Sequence, residues 1–266
     1  MKRILKSIAV TVSICLLLAP SALANAPVEL NVFAAASLTE SLTEIEELYK
    51  AVQPDVTLSF NFDSSGTLQK QIESGATVDI FLSAARKQMD ALAEDGYLLE
   101  DTRKDLLTNK VVLIVPEGSE LGLTGFEDVA GEAVKLVALG NSDVPVGQYA
   151  QEIFTELGLW ETISAKASLG SNVKEVLAQV ESGAVGCGVV YATDAATATG
   201  IEVVAEAPAD SHKPVVYPGA VLKRSANAHA AKAFLAFLET PEAVMAFESV
   251  GFTMAETAAP AATPVT

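Results

Sequence analysis

The sequence predicts an α/β protein in which helices cover sheets of mostly parallel strands. Short apolar runs, such as the Val-Val-Leu-Ile-Val of residues 111–115, are typical of buried strands. Segments whose apolar residues have helical spacing lie between such runs. This alternation continues along almost the whole chain, and it is the pattern of strand–helix–strand units.

Glycine and proline mark the ends of many of these segments. Gly96 and Gly158 each follow a helical pattern, Pro116 stops a strand, and Pro241 stands at the first turn of the last helix. The strands are expected at residues 30–34, 56–62, 78–83, 111–115, 134–138, 185–191 and 215–222. The helices are expected at residues 38–52, 68–74, 88–95, 148–157, 173–182, 230–238 and 241–250.

The two ends of the chain are expected to lie outside the folded part. Lys2, Arg3 and Lys6 precede an apolar stretch and the Ala-Leu-Ala motif of residues 22–24. Residues 1–24 therefore have the features of a cleaved signal peptide, and the apolar stretch is too short to span a bilayer. Residues 255–266 are low in complexity and are expected to form a disordered tail. We expect an exported protein, periplasmic or otherwise extracytoplasmic.

The mature chain is expected to be strongly acidic. The full sequence has 17 Lys and Arg against 34 Asp and Glu, a net charge of −17, and loss of the signal peptide takes it to −20. This charge disfavours nucleic acids and anionic membranes as partners. Any anion site must therefore rely on local dipoles and hydrogen bonds. Cys187 is the one cysteine left after cleavage, and its apolar neighbours favour a buried, inert thiol.

The sequence contains no catalytic signature. Neither of its two histidines, His212 and His229, has metal-ligand spacing. The motifs of zinc peptidases, serine hydrolases and P-loop nucleotide-binding proteins are absent from the sequence. The three glycines of residues 183–188 lack the order of a dinucleotide-binding loop and indicate a turn that enters a strand. We therefore expect neither an enzyme nor a bound cofactor.

A recurring junction joins a strand or turn to a helix start rich in hydroxyl groups or glycine. It occurs at residues 37–40 (Ser-Leu-Thr-Glu), 63–67 (Asp-Ser-Ser-Gly-Thr), 144–147 (Val-Pro-Val-Gly) and 170–173 (Gly-Ser-Asn-Val). Helix starts present unpaired N–H groups and the positive end of a dipole, and both attract anions. Ser37 also matches a capping box with Glu40. The residues alone leave both roles open for Ser37, as helix cap or as ligand contact.

Five segments together resemble the periplasmic molybdate-binding proteins of ABC importers. They are VFAAASLTE (32–40), FDSSGTLQKQIESGATVDIFLSA (62–84), VPVGQYA (144–150), SNVKEVLAQVESG (171–183) and GVVYATDA (188–195). The similarity covers the mature chain to residues 251–253. It implies a two-lobed periplasmic-binding-protein fold of type II, with two crossover strands and mixed sheets flanked by helices. Residues 27–110 and 216–254 would form the first lobe and residues 111–215 the second, and the lobes would close on a tetrahedral oxyanion in the cleft between them.

The resemblance also implies a set of ligand contacts. In this family two serines, backbone N–H groups and a tyrosine hydroxyl donate hydrogen bonds to the anion. By position in the matching motifs, the serines are Ser37 and Ser65, the backbone donors are Val146 and Val173, and the tyrosine is Tyr191. Molybdenum would enter only as the oxyanion, with no direct bond to the protein.

A donor-only site suits a molybdate ion, which near neutral pH is a dianion that carries no proton. Helix starts can stabilise such a charge without Arg or Lys. Because the two valines would act through their amides, changes in their side chains should matter little to binding. Asp63 would repel a dianion, or accept from a protonated anion, if its carboxylate pointed into the cleft. The turn is expected to begin at Asp63, so that this residue caps the helix region instead.

The sequence and the resemblance thus predict a monomeric extracytoplasmic protein that binds molybdate and tungstate and delivers them to the permease of an ABC importer. Three alternatives stay open. The ligand could be another tetrahedral oxyanion, such as sulfate or phosphate. The protein could be an exported hydrolase with Ser37 or Ser65 as its nucleophile, although neither histidine lies near them in the predicted topology. It could also be an anion sensor that signals through a membrane partner.

Overall fold

The structure, a computed structural model, describes residues 27–256. The predicted signal peptide and residues 257–266 of the predicted tail lie outside the described residues. Ala255 is described, and its N–H donates to the carbonyl of Leu106 at 2.9 Å. Two β-sheets flanked by helices confirm the α/β class.

Eleven strands form the two sheets of the described chain. They are β1 (Val28–Ala35), β2 (Val56–Asp63), β3 (Ile80–Leu82), β4 (Lys104–Asn109), β5 (Val111–Pro116), β6 (Val137–Gly140), β7 (Ala167–Gly170), β8 (Cys187–Tyr191), β9 (Ile201–Glu206), β10 (Val215–Val221) and β11 (Thr253–Met254). One sheet has the order β11-β4-β10-β3-β1-β2, and the other has the order β7-β6-β8-β5-β9.

The expectation of mostly parallel strands is wrong, because both sheets are mixed. Four of the nine neighbouring pairs in the described chain are parallel: β1 with β2 and β3, and β6 with β7 and β8. The other five pairs are antiparallel and involve β10, β11 or β5. Strand β10 returns from the other sheet, and it enters between β3 and β4 against their direction.

The chain passes between the sheets twice. It leaves the six-stranded sheet after Asn109 and enters the other sheet at Val111; it returns between Glu206 and Val215. We refer to the six-stranded sheet with its helices as the first lobe, and to the five-stranded sheet with its helices as the second lobe. The two crossings are therefore the covalent connections between the lobes.

Nine α-helices of the described residues cover these sheets. They are α1 (Thr39–Val52), α2 (Ser65–Glu73), α3 (Arg86–Glu94), α4 (Pro145–Glu156), α5 (Trp160–Ser164), α6 (Val173–Glu181), α7 (Ala192–Thr197), α8 (Ala228–Phe237) and α9 (Pro241–Ser249). Short 3-10 turns occur at Ala36–Leu38 and Glu127–Ala130. No helix within residues 27–256 is both long and apolar enough to cross a membrane.

The core follows from the apolar runs of the sequence. All residues of β8 and β10 are buried, as are the five apolar residues of β5. Cys187 at the start of β8 is fully buried, and burial raises the pKa of its thiol to about 12. The thiol therefore stays protonated and unreactive at neutral pH.

Candidate ligand-binding site

A small buried cavity lies between the lobes, where the carboxyl ends of six parallel strands meet. Strands β1, β2 and β3 supply the wall of the first lobe, and β6, β7 and β8 supply that of the second. Ligands of open α/β sheets bind at this end of the strands, where the connections to the helices begin. The cavity is lined by Ala35, Ala36, Ser37, Asp63, Ser64, Ser65, Ala84, Val144, Pro145, Val146, Val173 and Tyr191.

All five residues that the sequence predicts as ligand contacts line this one cavity. They come from the two lobes and from positions as far apart as Ser37 and Tyr191. None of the five is more than 4% exposed. Their role toward a ligand stays a prediction, but their convergence meets the geometric condition that the prediction requires.

Ser37 lies in the 3-10 turn between β1 and α1, and it does not cap a helix. Helix α1 begins at Thr39, preceded by Leu38, and no side chain caps it. Because the 3-10 turn runs directly into α1, Ser37 is already inside the helical segment. Its Oγ lies 2.9 Å from the Tyr217 hydroxyl. The predicted capping box is therefore wrong, and the three alanines at 34–36 bring the buried strand close to the cavity.

Ser65 is the first residue of α2 and is fully buried. Ser64 is the helix cap, since its Oγ accepts from the Thr67 N–H at 3.2 Å. The Ser65 Oγ accepts from the backbone N–H of Ala84 at 2.9 Å. The serine hydroxyl is therefore held as an acceptor by the first lobe, and its own hydrogen is left for another partner.

Val146 and Val173 lie in the first turns of α4 and α6. In α4, Pro145 has no N–H, and the next two N–H groups after Val146 donate to the carbonyl of Val144. In α6, Asn172 caps the helix by accepting from Glu175 N–H at 3.1 Å. Those hydrogen bonds leave the N–H groups of Val146 and Val173 without an intrahelical acceptor, as helix geometry requires. Both N–H groups are therefore available to a ligand.

Tyr191 ends β8 and places a buried hydroxyl at the cavity. The side chain is 1% exposed, and within the described part of the chain its hydroxyl has no hydrogen-bond partner. Burial raises the pKa of Tyr191 well above its ordinary value, so the hydroxyl stays protonated. A buried polar group without a partner costs free energy. A ligand that accepts from this hydroxyl would remove that cost.

Asp63 is the last residue of β2 and is one of the residues that line the cavity. Its Oδ1 accepts from the N–H of Ser64 at 2.7 Å. Strand pairing ends here, opposite Ala35, and α2 begins two residues later. The turn therefore begins at Asp63, as expected, but the expectation that Asp63 caps the helix is wrong, because Ser64 is the cap.

Two of the contacts between the lobes lie beside the cavity. The backbone N–H of Gly66 donates to the carbonyl of Asp143 at 3.0 Å. Lys174 of α6 donates to both carboxylate oxygens of Glu40 on α1 at 2.8 Å, and its Nζ lies 2.9 Å from the buried Asp194 carboxylate. The lobes are thus in direct contact on both sides of the site.

Asp194 is the buried acid of this group. Desolvation raises its pKa to about 6, although Lys174 acts in the opposite direction. The pKa of Lys174 is lowered by its own desolvation, but Asp194 and Glu40 outweigh this and raise it overall. The lysine is therefore charged at neutral pH, but its charge is shared between two carboxylates.

Sequence reasoning missed the residues behind the cavity. Tyr217 contacts Ser37, and Asn109 contacts Tyr217, but the two residues lie 180 and 72 positions away from Ser37 in the sequence. Tyr217 lies within the part of the chain that resembles the molybdate-binding proteins, and this is the one signal that could have indicated it. Asn109 ends a half-polar strand that the sequence pattern did not predict.

The cavity is bordered mainly by hydrogen-bond donors, and none of its lining residues is Lys or Arg. Two serine hydroxyls, two helix N–H groups and a tyrosine hydroxyl face or border it. Residues 27–256 contain no group of His, Cys, Asp and Glu that could hold a metal ion. The hydrogen bonds of the two serines go to Tyr217 and Ala84 and not to a histidine, which is not the arrangement of an activated nucleophile.

Comparisons with known proteins agree with this geometry. The chain is 40% identical to the molybdate-binding protein ModA of Haemophilus influenzae over 234 residues, which cover 85% of this chain and 91% of the relative. It is 42% identical to the substrate-binding domain of a putative molybdenum ABC transporter from Clostridium difficile, with a TM-score of 0.66, covering 86% of this chain and all of that one.

A second solved structure is similar in fold. The periplasmic molybdate-binding protein of Azotobacter vinelandii has a TM-score of 0.75 at 24% identity, covering 85% of this chain and all of that one. Residues 30–253 match a protein family that is described as bacterial extracellular solute-binding protein. The two-lobed architecture, the buried cavity between the lobes and this match over most of its length establish that the chain belongs to the bacterial extracellular solute-binding proteins.

Proposed function

We propose that this protein captures molybdate, and tungstate with it, outside the cytoplasm and delivers the anion to the permease of an ABC importer. The observation that carries the proposal is the buried cavity in which Ser37, Ser65, Val146, Val173 and Tyr191 converge. Each of them offers a hydrogen and no positive charge. The names of the relatives support the same ligand and the same transport role.

The donor set explains the choice of ligand. An anion without a proton can accept a hydrogen bond from every donor, whereas hydrogen phosphate brings an O–H that would face other donors. Molybdate and tungstate are nearly equal in size and charge, so the site should hold both. Sulfate has shorter bonds, so donors spaced for the larger anions would be left partly underused.

The lobes would act as a clamshell on this ligand. In the proposed division, residues 27–110 and 216–254 form the first lobe and residues 111–215 the second, with the two crossings as the hinge. The Gly66–Asp143 and Lys174–Glu40 contacts would form when the lobes close. The closed surface would then be recognised by the permease. The protein would act as an exported monomer, after removal of residues 1–24, and without an enzymatic step.

Binding measurements on the chain from residue 27 onward test this proposal. Molybdate or tungstate at about a hundred times its dissociation constant should add roughly 2.7 kcal/mol to the free energy of unfolding. Sulfate and phosphate at the same concentration should add much less. Stabilisation by sulfate or phosphate and not by molybdate would show that the ligand is a different oxyanion.

Two serine variants test the site itself. Ser37→Ala and Ser65→Ala should each weaken molybdate binding by about 1.5–3 kcal/mol, the worth of a hydrogen bond to a charged group. Ser74→Ala is the matched control, because Ser74 is exposed at the other end of the helix that Ser65 begins. Calorimetry should find the control unchanged. Undiminished affinity in both site variants would refute the assignment of the serines.

A further inference from the structure

A network of buried and half-buried polar side chains lies behind Ser37. The Tyr217 hydroxyl lies 2.9 Å from the Ser37 Oγ and 3.3 Å from the Asn109 Nδ2. The same Nδ2 lies 2.9 Å from the Thr193 Oγ1. Tyr217 and Asn109 lie on the neighbouring strands β10 and β4, and neither lines the cavity. Asn109 is also the last residue before the chain crosses to the second lobe.

The orientation of the Asn109 amide follows from its backbone neighbour. The N–H of Lys110 can only donate, and it lies 2.8 Å from the Asn109 Oδ1. The oxygen of the amide must therefore face Lys110, and the NH₂ group must face Thr193 and Tyr217. An amide NH₂ has two hydrogens and no acceptor, so it serves both hydroxyls as a donor.

This orientation fixes the proton of Tyr217. Its hydroxyl accepts from Asn109, and the Ser37 Oγ is its other hydrogen-bond partner among residues 27–256. The single hydrogen of Tyr217 can form a hydrogen bond only if it is directed to Ser37, and a hydrogen left without a partner in this buried place would cost free energy. The side chain is 2% exposed, and burial raises the pKa of Tyr217 well above its ordinary value. The hydroxyl therefore keeps its hydrogen at neutral pH. Ser37 accepts from Tyr217, and the hydrogen of Ser37 is left for the cavity.

Ser65 reaches the same state by a different route. Its Oγ accepts from the backbone N–H of Ala84 at 2.9 Å, so its hydrogen is also left over. Both serines thus have an acceptor position filled by the protein.

We propose that Asn109 and Tyr217 are positioning residues that hold Ser37 as a donor, so that the site favours anions without a proton over protonated anions of equal charge. This inference rests on the proposed function and deepens it. Discrimination arises because an O–H on the ligand would meet serine hydroxyls that are already directed to donate.

The test is to reverse the direction of the hydrogen bonds that run from Asn109 through Tyr217 to Ser37. In Asn109→Asp, one carboxylate oxygen can still accept from Lys110, and the other accepts from Tyr217. The tyrosine hydrogen then leaves Ser37, and Ser37 can donate to Tyr217 instead of the anion. We expect molybdate affinity at pH 8 to fall at least tenfold. Tyr217→Phe alone should cost less, since the Ser37 hydroxyl stays free to turn toward the anion.

The double variant separates this effect from simple charge repulsion. In the Tyr217→Phe background, Asn109→Asp should cost no more than about threefold, because the tyrosine link is gone. Equal losses in both backgrounds would mean that the new charge acts alone, and they would overturn the proposal. Asn109→Ala provides a second double-variant cycle that introduces no new charge. We expect this variant to lower molybdate affinity a few-fold when Tyr217 is present and to have no effect in the Tyr217→Phe background.

Ligand choice gives an independent readout. Molybdate and hydrogen phosphate are both dianions at pH 8, so a new negative charge should weaken both equally. We expect Asn109→Asp to lower the ratio of molybdate to phosphate affinity at least tenfold, since Ser37 can then accept from the phosphate O–H. Where phosphate binding is too weak to titrate, the double-variant cycle decides. If the wild-type protein binds molybdate but the effects of the variants are additive, this inference is refuted and the proposed function stands. If the wild-type protein binds no oxyanion, both are refuted.

Discussion

Individual residues at the cavity act through groups that their side-chain type does not reveal. Val146 and Val173 offer backbone N–H groups, whereas their side chains are buried in the core. Ser37 and Ser65 offer hydrogens only because Tyr217 and the Ala84 N–H occupy their oxygens. The chemistry of the site therefore depends on the contacts around each residue as much as on the residue itself.

Val173 allows affinity and stability to be separated. The side chain is 4% exposed, so Val173→Ala should lower the free energy of unfolding by about 1–3 kcal/mol. Molybdate affinity should change little, because the N–H group remains. Denaturant unfolding without ligand and calorimetry of the folded protein measure the two quantities. Val180→Ala, buried at the far end of the same helix, is the control; a tenfold loss of affinity in Val173→Ala alone would give the side chain a role in binding.

Asp63 contributes the one acidic side chain along the cavity wall. In Asp63→Asn, the amide oxygen can still accept from the Ser64 N–H, but the negative charge is gone. Affinity for a dianion should therefore rise, by about 1 kcal/mol or roughly fivefold, and more at low salt. Calorimetry at two ionic strengths measures this. Unchanged affinity would show that solvent screens the carboxylate from the ligand.

The secondary-structure elements that the sequence predicts well are those with a strong apolar pattern. Buried β5 and β8 and the long α1 were all expected near their observed positions. Strands β7 and β9 were missed because they are short edge strands with many polar or exposed residues. Helix α4 begins three residues earlier than expected, since Pro145 is well suited to a first helical position.

The same physical limit applies to the site. Matching motifs indicated the five contacts, because each contact lies where a strand or turn meets the next helix, within its own motif. The network behind Ser37 joins residues far apart in the chain, and only the pairing of β10 with β4 places Tyr217 beside Asn109. The cap assigned to Ser37 was wrong because a local pattern cannot show that a 3-10 turn carries the strand into the helix.

The start of α2 depends on the absence of a side chain at Gly66. A Cβ there would lie 2.3 Å from the carbonyl oxygen of Asp143, far inside any real contact. Gly66→Ala should therefore keep α2 and the second lobe apart and weaken molybdate binding at least tenfold. Because alanine favours the helix, the unliganded protein should melt at or near the wild-type temperature. Calorimetry and thermal melts measure both, with Ser74→Ala as control; wild-type affinity would mean that the helix shifts to make room.

At the scale of the whole molecule, the lobes are joined through a group of charged side chains as well as through the hinge. Lys174 of the second lobe reaches Glu40 of the first, and it also approaches Asp194 of its own lobe. Burial raises the pKa values of Tyr191 and Tyr217, and the negative charge of Asp194 raises them further. The protonation of this acid therefore bears on both the lobe contact and the ligand site.

Asp194 makes part of the folding stability depend on pH. Its pKa is about 6 in the folded protein and about 4 in an unfolded chain. The folded state therefore holds the proton more tightly, and this contribution is present below pH 4 and lost as the pH rises through 6. Asp194→Asn should remove it, so that wild type loses roughly 3 kcal/mol more than the variant between pH 4 and 7.

Urea unfolding at several pH values measures this difference. Glu44→Gln is the control, because Glu44 is exposed on α1, one turn after Glu40. The control should follow the wild-type profile. A variant profile parallel to that of wild type would show that Asp194 keeps an ordinary pKa in the folded protein.

The burial of all five contacts also has a kinetic meaning. With none of them more than 4% exposed, an ion held by all five contacts would be enclosed by protein while the lobes touch. Escape must wait for the lobes to separate, so the frequency of opening sets an upper limit on the dissociation rate, whatever the strength of the individual hydrogen bonds. A partner that holds the lobes apart could then empty the site quickly without competing for a single donor.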